Sequence, residues 1–322
     1  MSDPFPDYVD VDYEDGSGAA PDDYGTLEEK TMRATDCVGD ALEQYRAPAL
    51  MWTGGKDSTL ALYVAMQVAE ERGLEVPPVL FIDHLQHFPE VRQFVERWTD
   101  RWDLDLRVVS NEDFASVVEA RGAEPGDAIP VDALNERNRR HVRDVLEYEE
   151  ETFPFLLDTY VGNHLLKTVA LNDALEAGGF DAVISGVRWD EQAARADETF
   201  FSPRHDPDLY PPHDRVHPIL QFTERDVWNA FFRYVLPDTV PGYPVDHVPR
   251  STADLPEGIA ADELPISPKY FEGFRSLGSE VSTESSGDTP AWLQDLEGTT
   301  ERAGRAQDKE DLMGRLRDLG YM

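Results

Sequence analysis

Apolar residues along this chain fall into two rhythms. Short unbroken blocks at 49–52, 79–82 and 182–184 have the length and composition of buried strands, and 104–109, interrupted by Asp105 and Arg107, reads as a further strand. Between them, apolar positions recur every third or fourth residue, which predicts helices over 26–46, 58–72, 88–102 and 163–177. The punctuation agrees with the rhythm. Thr26 and Glu29 have capping-box spacing, Pro48 ends the first helix, and Gly73 and the Gly178–Gly179 pair stop two others. A further helix is predicted over 223–234 with Thr223 as its cap, and a short final one near 308–318. Trp98, Trp102 and Trp228 sit at helical spacing and read as core.

Strands alternating with amphipathic helices predict an α/β fold, a doubly wound parallel sheet with helices on both faces. Ligands of such sheets bind beyond the C-terminal ends of the strands. Residues 1–25, with eight acids and no base, read as an acidic disordered leader. The α/β domain is expected over 26–240, interrupted at 110–160 by an insertion holding one helix near 132–150. Beyond 240 the periodicity fades, so 241–322 is expected to be an extended tail and a candidate surface for docking a partner.

Charge changes this picture. The chain has 322 residues, 65 acidic and 29 basic, for a formal charge of −36. Such an excess of carboxylates argues against a nucleic-acid partner, because phosphate backbones are held by lysine and arginine. Only five lysines are present, and the acids run along the whole chain. That much like charge strains a compact state in dilute salt, whereas at molar salt the Debye length falls to about 3 Å. The composition therefore points to a salt-rich cytoplasm of the kind found in halophilic archaea. No stretch is apolar enough to span a membrane, and the N-terminus lacks the basic start and apolar run of a secretory signal. The single cysteine, Cys37, excludes an internal disulfide or a multi-cysteine metal cluster.

The candidate chemistry lies at two strand ends. After the first strand comes Thr53-Gly54-Gly55-Lys56-Asp57-Ser58, leading directly into a helix. Glycines let the backbone approach an anion, the helix start offers free N–H groups, and Lys56 and Ser58 add an ammonium and a hydroxyl. The spacing fits neither GxxxxGK[ST] nor GxGxxG. After the fourth strand comes Ser185-Gly186-Val187-Arg188-Trp189-Asp190-Glu191, with Arg195 a turn further on. Paired arginines suit bidentate recognition of an oxyanion, and Asp190 and Glu191 can hold them or assist a metal ion.

The string TGGKDS resembles the SGGKDS pyrophosphate loop of the ATP α-hydrolase (N-type ATP pyrophosphatase, PP-loop) superfamily, with Thr53 in the place of the first serine. The Gly186–Arg195 cluster, Arg215-Val216-His217-Pro218-Ile219 and 223–228 resemble the phosphoadenylyl-sulfate (PAPS) reductase family. That family also contains the small, catalytic subunit of heterodimeric sulfate adenylyltransferase, and the segments 271–278 and 300–308 are similar to that subunit's. The resemblance covers about 26–110 and 160–322. It implies an adenine-nucleotide α-hydrolase-like fold and adenylyl transfer from ATP, with Mg²⁺, to sulfate or a related oxyanion. It also implies a GTPase large subunit as partner. Lys56, Arg188 and Arg195 would be catalytic. Thr53, Gly54, Gly55, Asp57, Ser58, Asp83 and Gly186 would contact the nucleotide, Asp83 through the ribose or metal. Arg188, Asp190, Glu191, Arg195 and His217 would contact the second substrate.

Three alternatives stand beside this one: a PAPS or adenylyl-sulfate reductase, another ATP-α-hydrolase activity such as thiolation, and a non-catalytic nucleotide-binding partner. The reductases use a C-terminal cysteine as nucleophile, and none follows residue 37. Cys37 itself reads as a small buried hydrophobe within a helix. Apart from His217, the histidines are expected at the surface.

Overall fold

The computed structural model describes residues 5–299 and 301. In chain order its main elements are α1 (Leu27–Gln44), β1 (Pro48–Met51), α2 (Lys56–Arg72), β2 (Val79–Ile82), α3 (Pro89–Trp102), β3 (Leu106–Val109) and α4 (Glu112–Arg121). Then come β4 (Ala128–Pro130), α5 (Glu136–Arg140), β5 (Thr152–Pro154), α6 (Tyr160–Asn163), α7 (Ala170–Gly178) and β6 (Ala182–Ile184). β7 (Phe201–Arg204), β8 (His213–Val216), α8 (Glu224–Ala230) and α9 (Leu236–Thr239) complete the set. The predicted capping box is formed, with Thr26 accepting from Glu29 N and Glu29 accepting from Thr26 N.

Six strands form one sheet in the order β3-β2-β1-β6-β8-β7. All neighbours are parallel except the edge pair β7–β8. Alternate residues feed opposite faces, as strand geometry requires. Leu50, Val79, Phe81, Ala182 and Ile184 enter the large core, while Ala49, Met51, Leu80 and Val183 meet Leu171 and Leu175 of α7. Helices thus cover both faces, which is the predicted fold class. Chain order reverses between β1 and β6, and that crevice is where a doubly wound sheet presents ligands.

Four expectations need correction. The leader is anchored, not disordered. Phe5 stacks on His205 at 4.0 Å, and the hydroxyls of Tyr8 and Tyr13 donate to Asp181 (2.5 Å) and Asp214 (2.9 Å). A few spaced aromatic side chains suffice to bind a segment that its overall composition marks as unstructured. The 110–160 stretch holds more than one helix: α4, a β4–β5 hairpin and α5 surround a separate core that includes Phe114, Ile129, Phe153 and Phe155. Residues 200–218, rich in proline and with no strand predicted, contain β7 and β8. The tail over 241–299 is irregular but packed, with Leu264, Ile266, Tyr270 and Trp292 buried in the main core. The helix expected near 308–318 lies outside the described residues. Among those residues, no helix is long and apolar enough to cross a membrane.

Candidate functional site

The glycine-rich loop joins β1 to α2 under clear steric constraints. Gly54 has φ +74°, and a Cβ there would lie 3.0 Å from side-chain methyls of both Val91 and Val95. Glycine is the residue that meets both conditions. Thr53 N donates to Ser58 Oγ (3.1 Å), and that hydroxyl reaches Gly55 O at 3.1 Å, so Ser58 closes the loop on itself. The backbone N–H of Lys56 donates to Tyr270 Oη at 2.8 Å.

The loop after β6 lies directly on this turn. A Cβ on Gly186 would stand 2.5 Å from the carbonyl carbon of Asp57 and 2.6 Å from Ser58 N, so only a glycine allows the approach. The contact brings the two motifs together. Lys56 and Arg188 are 2 % and 1 % exposed, and both grip the carboxylate of Glu301. Lys56 Nζ lies 2.5 Å from Glu301 Oε1, and Arg188 Nη2 lies 2.6 Å from Oε2. Lys56 Nζ also reaches Asp57 (3.2 Å) and Arg275 O (3.1 Å). Arg188 pairs further with Asp57 and, at 2.9 Å, with Asp190. The other oxygen of Asp190 accepts from Glu224 N at 2.7 Å, which ties Arg188 to the start of α8.

Burial alone would lower the Lys56 ammonium, but the carboxylates of Glu301 and Glu224 outweigh it and hold it above the usual lysine value. For Glu301, burial would raise the carboxyl, and Lys56 and Arg188 instead pull it down to about 2. Two cations therefore converge on one buried anion at the switch point of the sheet. Glu301 was not singled out from sequence, because 245 positions separate it from Lys56.

The cradle opens on a cavity of about 200 Å³, lined by Thr53, Gly55, Lys56, Asp57, Ser58, Gly186, Glu191 and Arg195. Gly54 is not among the lining residues and packs against Val91 and Val95 of α3. Arg215 of β8, part of a segment that carries the family resemblance but given no role on that basis, lines the cavity as well. Burial, with Arg204 and Arg195 nearby, lowers its guanidinium to about 9. The adjoining carboxylate Glu198 faces Arg204 at 3.1 Å and His217 at 3.5 Å, while His217 Nδ1 lies 2.9 Å from Ser185 Oγ. This side of the cavity thus has a cationic character suited to an oxyanion.

Asp83 does not join the site. Its carboxylate accepts from Arg92 (2.8 Å) and from Leu85 N (3.0 Å) in the turn after β2. His84 and His87 line the cavity there instead, with rings stacked at 3.5 Å. They correct the expectation of surface histidines: the turn folds inward, and burial holds His87 down at about 4. His164 and His213 are buried too. Cys37 is fully buried in α1, and burial pushes its thiol far above the usual range. Among the described residues no group of three or more His, Cys, Asp or Glu could hold a metal ion.

A family model described as the phosphoadenosine phosphosulfate reductase domain matches residues 47–126 and 135–240. The match takes in most of 110–160, which the sequence reading set apart as an insertion. Among curated proteins, the chain is similar to sulfate adenylyltransferase subunit 2 of Rhodopseudomonas palustris strain BisA53, 26% identical over 98% of this chain and 95% of that protein. It is also similar to the protein of that name from Xanthomonas oryzae pv. oryzae, 29% identical over 76% and 79%. Among solved structures, yeast FAD synthetase in complex with FAD aligns with TM-score 0.47 and 14% identity, over 88% of this chain and 92% of that one. A phosphoadenylyl-sulfate reductase from Candida auris, a phosphate complex, aligns with TM-score 0.46 and 12% identity over 81% and 98%.

Proposed function

The chain belongs to the phosphoadenosine phosphosulfate reductase domain family, and from that premise we propose that it transfers the adenylyl group of ATP to sulfate, releasing pyrophosphate. One observation carries the reading. Lys56 and Arg188, from two separate strand-end loops, close on a single buried anion beside a cavity whose far side holds Arg195 and Arg215.

In this reading the 53–58 loop and Gly186 form the bed for the β,γ-phosphates, and Lys56 and Arg188 take the place of their counter-ions. Asp57 and Asp190 orient Arg188. Arg195, joined by Arg215, holds sulfate, with Glu191 beside them and His217 behind. A sulfate oxygen attacks the α-phosphorus in line. The new P–O bond forms as the bond to the bridging oxygen breaks, and the pyrophosphate leaves into the cationic cradle. Positioning and electrostatic stabilisation do the work, and no covalent nucleophile takes part. Mg²⁺ carried in on the phosphates would be held by Asp57 and Glu191, the carboxylates of the two motifs that line the cavity, and would spread the phosphate charge.

A thiol-dependent reductase is disfavoured by the buried, unreactive Cys37. Because forming adenylyl sulfate is uphill, a GTPase large subunit is the expected partner. The excess of acids supports a salt-rich cytoplasm as the setting. The test is sulfate-dependent exchange of labelled pyrophosphate into ATP in molar KCl. Exchange that requires sulfate and is lost in Lys56→Ala and Arg188→Ala supports the reading, and exchange indifferent to sulfate, or intact in both variants, refutes it.

A further inference from the structure

α6, a π-helical turn (His164–Val169) and α7 run on as one helix. α7 packs on the sheet in one cluster with Met51 and Ile82, at the C-terminal ends of β1 and β2. The part of the helix that precedes it forms the cavity wall on the β2 side, away from the arginines of the β8 side.

Two side-chain oxygens on this wall lack partners among the described residues. Asn163 Oδ1 and Thr168 Oγ1 make no hydrogen bond among the described residues, although Asn163 is 5 % and Thr168 3 % exposed and both line the cavity. Leaving such groups unsatisfied is costly, so each calls for an explanation. Helical hydroxyls elsewhere in the chain solve the problem locally. Thr31, Thr35, Thr99 and Ser116 each donate to the carbonyl four residues back, at 2.8–3.1 Å. Thr168 does not follow them, and it lies in the π turn, whose bonding register is five residues and not four. Turns of this kind cluster at functional sites.

The chemistry of the missing partner can be narrowed. An amide oxygen only accepts, and so do the oxygens of an ionised phosphate or sulfate. The group that satisfies Asn163 Oδ1 must therefore donate, and on a nucleotide the donors are the base amino group and the sugar hydroxyls. A carboxamide sets an acceptor beside a donor. That matches the Hoogsteen edge of adenine, 6-amino donor plus N7 acceptor, and mismatches the same edge of a 6-oxo purine, which presents two acceptors, O6 and N7. Met51, Ile82 and Leu171 supply apolar surface for the ring faces on the same wall.

We infer that Asn163 reads the 6-amino edge of the purine and that Thr168 makes a second hydrogen bond to the same nucleoside, so the end of α6 and the π turn that follows it set base specificity. This deepens the nucleotide reading above and rests on it. The test is equilibrium binding of α,β-methylene-ATP and of the corresponding inosine analogue to the full chain in molar KCl. Wild type should prefer the adenine analogue. Asn163→Ala should lower its affinity roughly tenfold to hundredfold and abolish the preference. Thr168→Val should weaken it by less. Binding of inorganic pyrophosphate should be unchanged in both, and that control also reports folding of the cradle. If the adenine analogue binds wild type and weakens in Lys56→Ala but not in Asn163→Ala or Thr168→Val, this inference fails and the nucleotide reading stands. If wild type binds neither analogue, both fall.

Discussion

Neutralising Glu301 should move stability and anion affinity in opposite directions. Lys56 and Arg188 contribute two positive charges to the cradle, and Asp57, Asp190 and Glu301 contribute three negative ones, leaving a balance of −1. In Glu301→Gln the balance becomes zero with almost no change in shape. The substitution weakens two charge-assisted contacts, of 2.5 and 2.6 Å. Hydrogen bonds to charged groups are worth about 1.5–3 kcal/mol each, so the ligand-free protein should lose about 2–4 kcal/mol after partial compensation by the amide. An incoming phosphate meets the reverse effect. At an effective dielectric of about 20, one unit charge at about 4 Å contributes roughly 4 kcal/mol, and rearrangement leaves about a third of it. Pyrophosphate should then bind about tenfold more tightly. Thermal unfolding without ligand and calorimetric titration with pyrophosphate read the two effects separately. Weaker pyrophosphate binding in Glu301→Gln would refute the reasoning, because the carboxylate would then be assisting the ligand and not standing in its place.

Further outcomes follow from the same geometry. Gly186→Ala forces a Cβ to within 2.5 Å of the Asp57 backbone and should cost about 1–3 kcal/mol in a denaturant titration; an unchanged midpoint would mean that the two loops are not in contact. Burial holds His87 down at about 4, and His164 and His213 at about 3. The unfolded chain therefore takes up protons first, so stability is full above about pH 6.5 and declines as the pH falls toward 3–4. At pH 5.5 the three together should withdraw about 4 kcal/mol, and equal unfolding midpoints at pH 7.5 and 5.5 would contradict this. With a formal charge of −36, the melting temperature should climb between 0.1 and 2 M KCl, where the Debye length shrinks from about 10 to about 2–3 Å. A flat or falling response would remove the case for a salt-rich habitat.

How much of this was legible in the sequence depends on how local each signal is. β1, β2 and β6 are buried on both faces and read as plain apolar blocks, and the glycine-rich loop carries its own steric logic in six residues. β8 was not predicted because His213, Asp214 and Arg215 are polar residues among prolines that make no apolar run, yet all three are buried. Their burial depends on partners such as Tyr45, whose hydroxyl meets Asp214 at 2.7 Å from 169 positions away. Asp83 looked like a ligand because it ends a strand, but nine residues later Arg92 claims it. The π turn at 164–169 leaves no mark in an apolar pattern, since one shifted hydrogen bond alters register without altering composition. Arg188 and Lys56 were recognisable separately. That they share one anion is a tertiary fact supplied by the tail.

The most direct test of the account is a crystal structure of the full chain with α,β-methylene-ATP. The account requires phosphate oxygens within hydrogen-bonding distance of Lys56 Nζ and Arg188 Nη2, with Glu301 displaced from both. Phosphates bound elsewhere, with the Glu301 carboxylate still bridging the two cations, would contradict it.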